Sequence, residues 1–281
     1  MNLMFCGDKN IVDGVIIALL SIMNHTRDPL SVYILTMAFE QDGKRCEPVP
    51  ESFAEYMNKI LKEKNSESFV RVIDASREFR QCIPQKNLET RFTPGCMLRL
   101  YADMMPDLPD KILYLDNDII CRRDFSEYYQ TDLEGAELAG VLDYYGSWFF
   151  RRNILKRDYL NSGVLLLNLG EIRKSGLFER CRQRCRVKKM FMPDQSAINK
   201  LAKVKIKVPR MYNEQRKLKA DTVFQHFTTS FRFFPYIRTV SVKPWQIDRV
   251  HSVLKIYEYD PLFEEYEKIK TDYEREKEIL K

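Results

Sequence analysis

The feature that most constrains the fold is an alternation of short apolar runs with longer segments of helical periodicity. Strand-length apolar runs cover residues 2–6, 30–37, 69–73, 111–115, 139–142 and 164–167. Helical spacing of apolar side chains covers residues 11–23, 51–64, 93–104, 177–189 and 194–201. Because helical connections between strands form right-handed crossovers, this alternation predicts an α/β fold with a mainly parallel central sheet.

The pattern changes in the last third of the chain. From residue 203 onward, shorter β-like runs at 203–208, 222–227 and 238–242 predict antiparallel additions. The sequence contains no internal repeat and no linker rich in Gly, Ser or Pro. We therefore predict one domain over residues 1–245, followed by a charged helical tail over residues 246–281 that is exposed to solvent.

Composition narrows the class of protein. Of the 281 residues, 44% are hydrophobic and 31% are charged, which supports a packed core and excludes disordered and collagen-like chains. The longest apolar run, residues 14–23, is half of the roughly 20 residues that a membrane span requires. The N-terminus has no basic stretch ahead of an apolar one, so no cleaved secretory signal is expected. The expected location is the cytoplasm.

The seven cysteines indicate the same compartment. Their number is odd and no Cys-x-x-Cys occurs, so reduced thiols are expected rather than disulfides. Cys181 and Cys185 are four residues apart on a predicted helix, but no neighbouring histidine completes the four ligands of a structural zinc site. We therefore interpret both as ordinary thiols.

Polar side chains follow two of the predicted strands directly. Asp116 and Asp118 come after the apolar run 111–115, and ligands of open α/β sheets bind at the carboxyl ends of strands. Two carboxylates in this position can hold a hard divalent cation, although an ordinary turn also contains Asp-x-Asp. Asp8 and Asn10 follow the first strand at the same edge, where they could instead cap the first helix.

Several short motifs occur in a characteristic order. They are Gly7-Asp8-Lys9-Asn10, Arg99, Tyr114-Leu115-Asp116-Asn117-Asp118, Leu160-Asn161-Ser162-Gly163-Val164, Pro193-Asp194-Gln195, His226 and Lys243-Pro244-Trp245. This ordered set resembles glycosyltransferase family 8, the group that contains glycogenin and the bacterial lipopolysaccharide galactosyltransferases. The resemblance spans residues 2–245 and implies a single-domain, Rossmann-like nucleotide-sugar transferase fold of the glycosyltransferase A type.

The resemblance also implies a function and a metal site. A hexose, either glucose or galactose, would pass from a uridine diphosphate (UDP) sugar to a hydroxyl of a glycan or lipid-linked acceptor. Asp116, Asp118 and His226 match the residues that bind Mn²⁺ at the diphosphate, with Mg²⁺ as the alternative cation. An imidazole ligand favours Mn²⁺ because it is a softer donor than a carboxylate. Without the family context, His226 in its apolar run would be interpreted as a core histidine.

The donor-binding residues are carried over from the same resemblance. Asp8 and Asn10 match positions that contact the uracil and ribose, but Ile11 replaces the aromatic residue that often follows, so base stacking is left open. Positions around the diphosphate and the donor sugar are matched by Arg99, Asn117, Asp143, Asn161 and Ser162. For Arg99, a solvated or salt-bridged side chain is the alternative interpretation.

Two adjacent residues match the catalytic positions. The family retains anomeric configuration, and a double displacement would need a carboxylate nucleophile at the anomeric carbon. Gln195 matches the residue below that carbon but is a poor nucleophile, so front-face attack is expected, with the leaving phosphate taking the acceptor proton. Asp194 would orient a sugar hydroxyl or act as a fallback nucleophile.

The last motif departs from the family pattern. His226 and Lys243 are seventeen residues apart, Thr229 stands at the usual glycine position, and Arg232 stands at the usual lysine position. Either Arg232 or Lys243 would neutralise the leaving diphosphate, and we favour Lys243 because Pro-Trp follows it. The inserted segment 231–236 is strongly aromatic, which is also typical of a hydrophobic plug over the core.

Basic residues are dense between positions 180 and 210 and again at Arg151, Arg152, Lys156 and Arg157. No nucleic-acid-binding module accompanies them, so they are interpreted as a solvated face or as a peripheral contact with an anionic membrane surface or acceptor.

Two rival functions stay open. A haloacid dehalogenase-like Mg²⁺ phosphatase also has Asp-x-Asp after a strand, but it places the motif early in its domain and adds a later acidic pair. A catalytically silent nucleotide-sugar-binding protein would not need Asp116, Asp118, His226 and Gln195 together.

Overall fold

A seven-stranded sheet forms the centre of the computed structural model, which describes residues 1–41, 43–88, 94–144, 158–232 and 238–279. At positions 44, 230–232 and 238 it describes the backbone. The strands are β1 (Asn2–Cys6), β2 (Ser31–Thr36), β3 (Phe39–Gln41), β4 (Lys44–Cys46), β5 (Phe69–Asp74), β6 (Lys111–Leu115), β7 (Ile119–Cys121), β8 (Leu138–Leu142), β9 (Leu160–Asn168), β10 (Lys205–Lys207), β11 (Phe224–His226), β12 (Ser230–Arg232) and β13 (Arg238–Val240). The order in the central sheet is β10-β8-β9-β6-β1-β2-β5.

The predicted α/β class with a mostly parallel sheet is confirmed. β1 pairs in parallel with β2 and β6, β2 with β5, and β8 with β10. The antiparallel additions predicted for the last third of the chain are also present, since β11 pairs antiparallel with β7 and β12 with β13. The sequence did not predict that β9, inside the central sheet, is antiparallel to both β6 and β8. Its direction follows from its connection, because β9 re-enters the sheet at the same edge at which β8 ends.

Helices cover both faces of the sheet. The α-helices are α1 (Val12–Met23), α2 (Glu51–Lys64), α3 (Ser76–Gln81), α4 (Ser126–Tyr129), α5 (Leu169–Ser175), α6 (Leu177–Val187), α7 (Pro193–Leu201), α8 (Ile247–Arg249) and α9 (Asp260–Ile279). Shorter 3-10 segments are Lys9–Ile11, Gln85–Asn87 and Arg210–Asn213, and Val250–Leu254 forms a π turn. One core packs α1, α2 and α9 against the sheet, and a second packs α6 and α7.

The helix predicted for residues 93–104 is a 3-10 helix, Pro94–Met104. It crosses close to the end of β1, since a Cβ on Gly95 would lie 3.2 Å from Cα of Gly7. A larger residue at position 95 would therefore push this helix away from the carboxyl edge of the sheet.

The C-terminal tail forms the predicted helix, but one of its faces is buried. Phe263, Tyr266, Ile269 and Tyr273 of α9 belong to the core that includes α1 and α2. Lys270 also pairs with Asp13 of α1 at 3.2 Å. Three of these four buried side chains are aromatic, so the charged segment lacks the aliphatic periodicity of an ordinary amphipathic helix.

Among the residues that the structure describes, no helix combines the length and apolar character needed to span a bilayer. The cysteines are free thiols, and Cys181 and Cys185 are buried on α6 as core residues.

Candidate active site

The strand directions bring distant segments to one edge of the sheet. Asp116 and Asp118 follow β6, and Asp143 follows β8. Asn161 and Ser162 lie at the beginning of β9, but β9 runs antiparallel, so its first residues meet the ends of β6 and β8. The sequence predicted these residues as one site, and the topology places them side by side.

Two of these residues, Asp116 and Asp118, form with His226 a group of side chains that could hold a metal ion, called the metal cluster below. Asp116, Asp118 and His226 each offer one ligand atom, and these atoms lie within 4.8 Å of one another. His226 Nε2 is 3.1 Å from Oδ1 of Asp118 and 3.6 Å from Oδ2 of Asp116. The histidine reaches the carboxylates because β11 pairs antiparallel with β7, which begins directly after Asp118.

Two glycines lie where any larger side chain would collide with this cluster or with the turn that carries it. A Cβ built on Gly163 would lie 2.1 Å from Cε1 of His226 and 2.8 Å from Oδ2 of Asp116. On the other side, a Cβ on Gly14 of α1 would lie 2.2 Å from the carbonyl oxygen of Asn117. The Asp-Asn-Asp turn therefore fits between two positions at which a side chain would displace it.

Arg99 joins the metal cluster to α7. It is 3% exposed, and its guanidinium lies 2.8 Å from Oδ1 of Asp116 and 3.2 Å from Oδ2 of Asp194. The guanidinium also stacks over the ring of Tyr114, with Cζ 4.0 Å from the ring centre. Of the interpretations given for Arg99, the structure shows a salt-bridged side chain and excludes a solvated one.

The charge of Asp194 depends on this contact. Burial raises the pKa of Asp194 above its usual range, and the charge of Arg99 opposes that rise. Removing Arg99 would therefore favour protonation of a carboxyl group that stands at the first turn of α7.

Lys243 reaches the metal cluster despite the seventeen-residue separation from His226. Its Nζ donates to Oδ2 of Asp118 and lies 3.3 Å from the carbonyl oxygen of Phe227. Burial favours a higher pKa for Asp118, but Lys243 and His226 outweigh it and hold that pKa below its usual range. The side chain of Arg232 and residues 233–237 lie outside the described residues, as do Arg151, Arg152, Lys156 and Arg157.

Amide groups form the other side of the site. The Oε1 atom of Gln195 accepts from the backbone N–H of Ser162 at 3.0 Å, and its Nε2 donates to Oδ2 of Asp143 at 3.4 Å. Asn161 donates to the same oxygen of Asp143 at 2.9 Å. Gln195, Asp143 and Asn161 are buried, so the predicted catalytic glutamine is held from both ends of its amide.

The charges at this edge leave room for a divalent cation. Four carboxylates, at Asp116, Asp118, Asp143 and Asp194, face two permanent cations, Arg99 and Lys243. These six side chains together carry a net charge of −2 when all of them are ionised. The two carboxylates and one imidazole of the cluster are also ligands that Mn²⁺ accepts. The residues present therefore fit a divalent metal.

Asp8 and Asn10 stand at the same edge, after β1. Oδ1 of Asp8 accepts from the backbone N–H of Asn10 at 3.0 Å, so Asp8 caps the 3-10 turn that leads into α1. Asn10 is exposed and Asn117 is half-buried. Contact of these side chains with a nucleotide stays a prediction.

The sequence did not predict a role for Asn213. Its side chain is fully buried, lies 3.1 Å from Nδ1 of His226 and donates to Oδ1 of Asn161 at 2.9 Å. No motif marks this asparagine, because its position depends on a bridge between Glu214 and β11.

Comparison with known proteins identifies similar sequences. Residues 2–248 match the family model described as glycosyl transferase family 8. The chain is 26% identical over 278 residues to lipopolysaccharide 1,2-glucosyltransferase of Escherichia coli K12, an alignment covering 92% of this chain and 76% of that protein. It is 25% identical over 178 residues to lipopolysaccharide 1,3-galactosyltransferase of Salmonella typhimurium, covering 60% and 48% of the two chains.

Solved structures share the fold. An active-site mutant of LgtC matches with a TM-score of 0.68 and 18% identity, covering 94% of each chain. The galactosyltransferase LgtC in complex with donor and acceptor sugar analogs matches with a TM-score of 0.62 and 18% identity, covering 95% of this chain and 96% of that one. These similarities confirm the predicted fold of the glycosyltransferase A type.

Proposed function

Because the chain belongs to glycosyltransferase family 8, we propose that it is a retaining, metal-dependent hexosyltransferase. It would move glucose or galactose from a UDP-sugar to a hydroxyl of a glycan or lipid-linked acceptor. The observation that carries this proposal is the convergence of Asp116, Asp118 and His226 beside Arg99 and Lys243 at the carboxyl edge of the sheet. The family membership disfavours the phosphatase alternative.

Asp116, Asp118 and His226 would hold the cation, with Mn²⁺ favoured by the imidazole ligand and Mg²⁺ as the alternative. When bound, the cation neutralises charge on the diphosphate as the sugar departs. Arg99 keeps Asp116 in place, since a buried guanidinium at 2.8 Å fixes one carboxylate oxygen while the other faces His226. The fit of this cluster to a divalent ion supports the metal dependence.

Lys243 would contact the leaving diphosphate. Its ammonium group already lies at the cluster through its bond to Asp118, so a donor bound there would meet this positive charge. A cation aimed at charge that grows toward the transition state accelerates the reaction more than it tightens binding. Arg232 remains the alternative for this role.

Two features support retention by front-face attack. The amide of Gln195 cannot act as an effective nucleophile, and its orientation is held by Ser162 and Asp143. The Asp194 carboxylate is held by Arg99 at 3.2 Å and by the hydroxyl of Ser162 at 3.3 Å, which suits a positioning role better than attack. In this scheme the acceptor hydroxyl gives its proton to the leaving phosphate as the new glycosidic bond forms.

Proton NMR of the product tests this stereochemistry. An α-linked donor sugar should give an α-linked product. A β-linked product would contradict the retaining mechanism and would require a general base that neither Gln195 nor Asp194 provides in the described arrangement.

The acceptor class is proposed from the relatives and the surface. Two of the similar proteins are named lipopolysaccharide transferases, which supports a bacterial surface glycan or its lipid-linked precursor as the acceptor. Arg186, Lys188 and Lys189 are exposed beside Phe191, whose side chain is 68% exposed, next to the helix that carries Gln195. This basic and apolar loop supports a peripheral contact with an anionic membrane surface or acceptor.

A donor screen tests the proposed function. Purified protein is incubated with UDP-glucose, UDP-galactose and other nucleotide sugars, with Mn²⁺ or with a chelator, and release of UDP is measured. We expect slow hydrolysis of one UDP-hexose that requires the cation, because water can replace the missing acceptor. Rapid hydrolysis of simple phosphomonoesters would support the phosphatase instead, and binding of a UDP-sugar without any turnover would support the catalytically silent protein.

A further inference from the structure

The second ring nitrogen of His226 contacts a residue to which neither the motifs nor the comparisons assign a role. Asn213 ends the 3-10 segment Arg210–Asn213 and is fully buried. The backbone N–H of the next residue, Glu214, donates to the carbonyl oxygen of Phe224 at 2.8 Å. The backbone carbonyl oxygen of Glu214 accepts from the N–H of His226 at 2.9 Å. These backbone bonds hold the side chain of Asn213 against β11.

The direction of the hydrogen bonds around Asn213 follows from two nearby groups, one that can only donate a hydrogen bond and one that can only accept one. The backbone N–H of Gly163 can only donate, so the Asn161 atom that it meets at 2.9 Å must be the oxygen. The carboxylate of Asp143 can only accept when ionised, which agrees with the NH₂ group of Asn161 facing it at 2.9 Å. The amide orientation of Asn161 is therefore determined at both ends.

The orientation of Asn161 determines that of Asn213. Because the Asn161 oxygen is an acceptor, the Asn213 atom that lies 2.9 Å from it must be the NH₂ nitrogen. The Asn213 oxygen is then left to face Nδ1 of His226 at 3.1 Å. An amide oxygen cannot donate, so the bond exists only when Nδ1 of His226 carries the hydrogen.

We propose that Asn213 is a positioning residue that keeps the hydrogen of His226 on Nδ1 and leaves the lone pair of Nε2 free for the divalent cation. Without Asn213, the two carboxylates near Nε2 would attract the hydrogen to that atom and close the ligand position. A histidine ligand generally depends on such a partner at its other nitrogen. The inference rests on the proposed metal-dependent function, and it identifies Asn213 as the residue that orients the imidazole ligand of His226.

Mn²⁺ affinity tests the inference without any measurement of turnover. Free Mn²⁺ is measured by EPR during titration of the wild-type protein, Asn213→Leu and Asn87→Leu at one pH. Leucine keeps the approximate size of asparagine but offers no acceptor. We expect Asn213→Leu to weaken Mn²⁺ binding by about 10- to 100-fold.

Asn87 supplies the matched control. It is also fully buried, and its side chain bonds backbone groups of Lys188 and Met190 at 2.8 Å, away from the metal cluster. Asn87→Leu should lose thermal stability but bind Mn²⁺ within about twofold of the wild-type affinity. Wild-type affinity in Asn213→Leu would overturn the inference, and equal weakening in both variants would also overturn it, because it would assign the loss to general destabilisation.

A second measurement needs no variant, in case Asn213→Leu does not fold. The chain has three histidines, so two-bond ¹⁵N–¹H NMR can resolve the neutral ring of His226, first in the metal-free protein and then in the protein loaded with diamagnetic Cd²⁺. We expect the hydrogen on Nδ1 already in the metal-free protein, where no metal ion forces it there, and a hydrogen on Nε2 of that protein would overturn the inference. Wild-type protein that binds neither Mn²⁺ nor Cd²⁺ would overturn the proposed metal dependence itself, a result distinct from normal binding with an unaffected variant.

Discussion

The candidate active site has a charged half and an amide half, and the two halves are stabilised in different ways. In the charged half, formed by Asp116, Asp118, Arg99 and Lys243, the partners are ions, and each carboxylate pairs with one of the two cations. In the amide half, formed by Asn161, Gln195 and Asn213, each contact has a fixed donor and a fixed acceptor. A charged ligand can replace one partner of an ion pair, because any opposite charge serves. An amide contact is directional, so it is lost unless the new partner offers a donor or acceptor in the same place.

This difference suggests that the two halves of the site have separate roles. The charged half would supply affinity for the cation and diphosphate, and the amide half would supply the orientation of Gln195 and His226. Substitutions in the charged half should therefore act mainly on catalysis, and substitutions in the amide half should act on stability as well.

The largest expected effect comes from removing a metal ligand of the charged half. Asp118→Ala should lower turnover by about 10³-fold or more, because a bound cation supplies several kcal/mol of charge stabilisation. UDP release at saturating donor and Mn²⁺ measures this effect. Asp103→Ala is the control: it removes a carboxylate that pairs with Arg182, so it should reduce stability but spare the turnover of folded protein. Normal turnover of metal-stripped Asp118→Ala would contradict the proposed site.

The second-largest effect distinguishes Lys243 from Arg232 as the side chain that contacts the leaving diphosphate. Lys243→Ala should lower kcat by about 10²-fold while changing KM much less, since the contact strengthens as charge develops. Arg232→Ala, compared under the same saturating donor and Mn²⁺, should be nearly silent. The reverse result would transfer the role to the inserted segment, and two silent variants would show that the metal alone neutralises the diphosphate.

The smallest effect is on stability and comes from placing a charge in the amide half. Gln195→Glu turns the donor that faces Asp143 at 3.4 Å into an acceptor, so the free energy of unfolding should fall by about 1–3 kcal/mol at pH 7. Lowering the pH should reduce this deficit, because a protonated glutamate donates again. Urea denaturation measures it, with Gln183→Glu on the exposed side of α6 as the control. Equal stability of the two variants would show that the amide contacts are not directional.

The charged half was the more predictable half. Asp116 and Asp118 could be predicted because a strand of apolar residues ends directly before them, a local pattern with a known consequence at a sheet edge. His226 and Lys243 could be predicted only through the family resemblance, since their approach depends on the pairing of β11 with β7.

The amide half was predicted in part. Asn161 and Gln195 belong to motifs, but Asn213 acts through the orientation of its amide, which depends on contacts with Gly163 and Asp143 that no sequence period encodes. The same limit applies to the fold. The apolar run of β9 indicates a strand, but its direction depends on the edge at which the chain returns. The tail was predicted to be exposed because most of its buried face is aromatic rather than aliphatic, as at Tyr266 and Tyr273.

The pairing of β7 with β11 has a consequence for synthesis on the ribosome. Once the strands up to β10 have emerged, the seven-stranded sheet can assemble, with both aspartates already at its edge. His226 and Lys243 follow later in the chain, and closing this long connection is slow compared with local helix formation. A nascent chain therefore passes through a stage in which the folded sheet presents carboxylates without their imidazole and ammonium partners. Under the proposed metal-dependent function, affinity for a divalent cation and activity would develop only when the last quarter of the chain has docked.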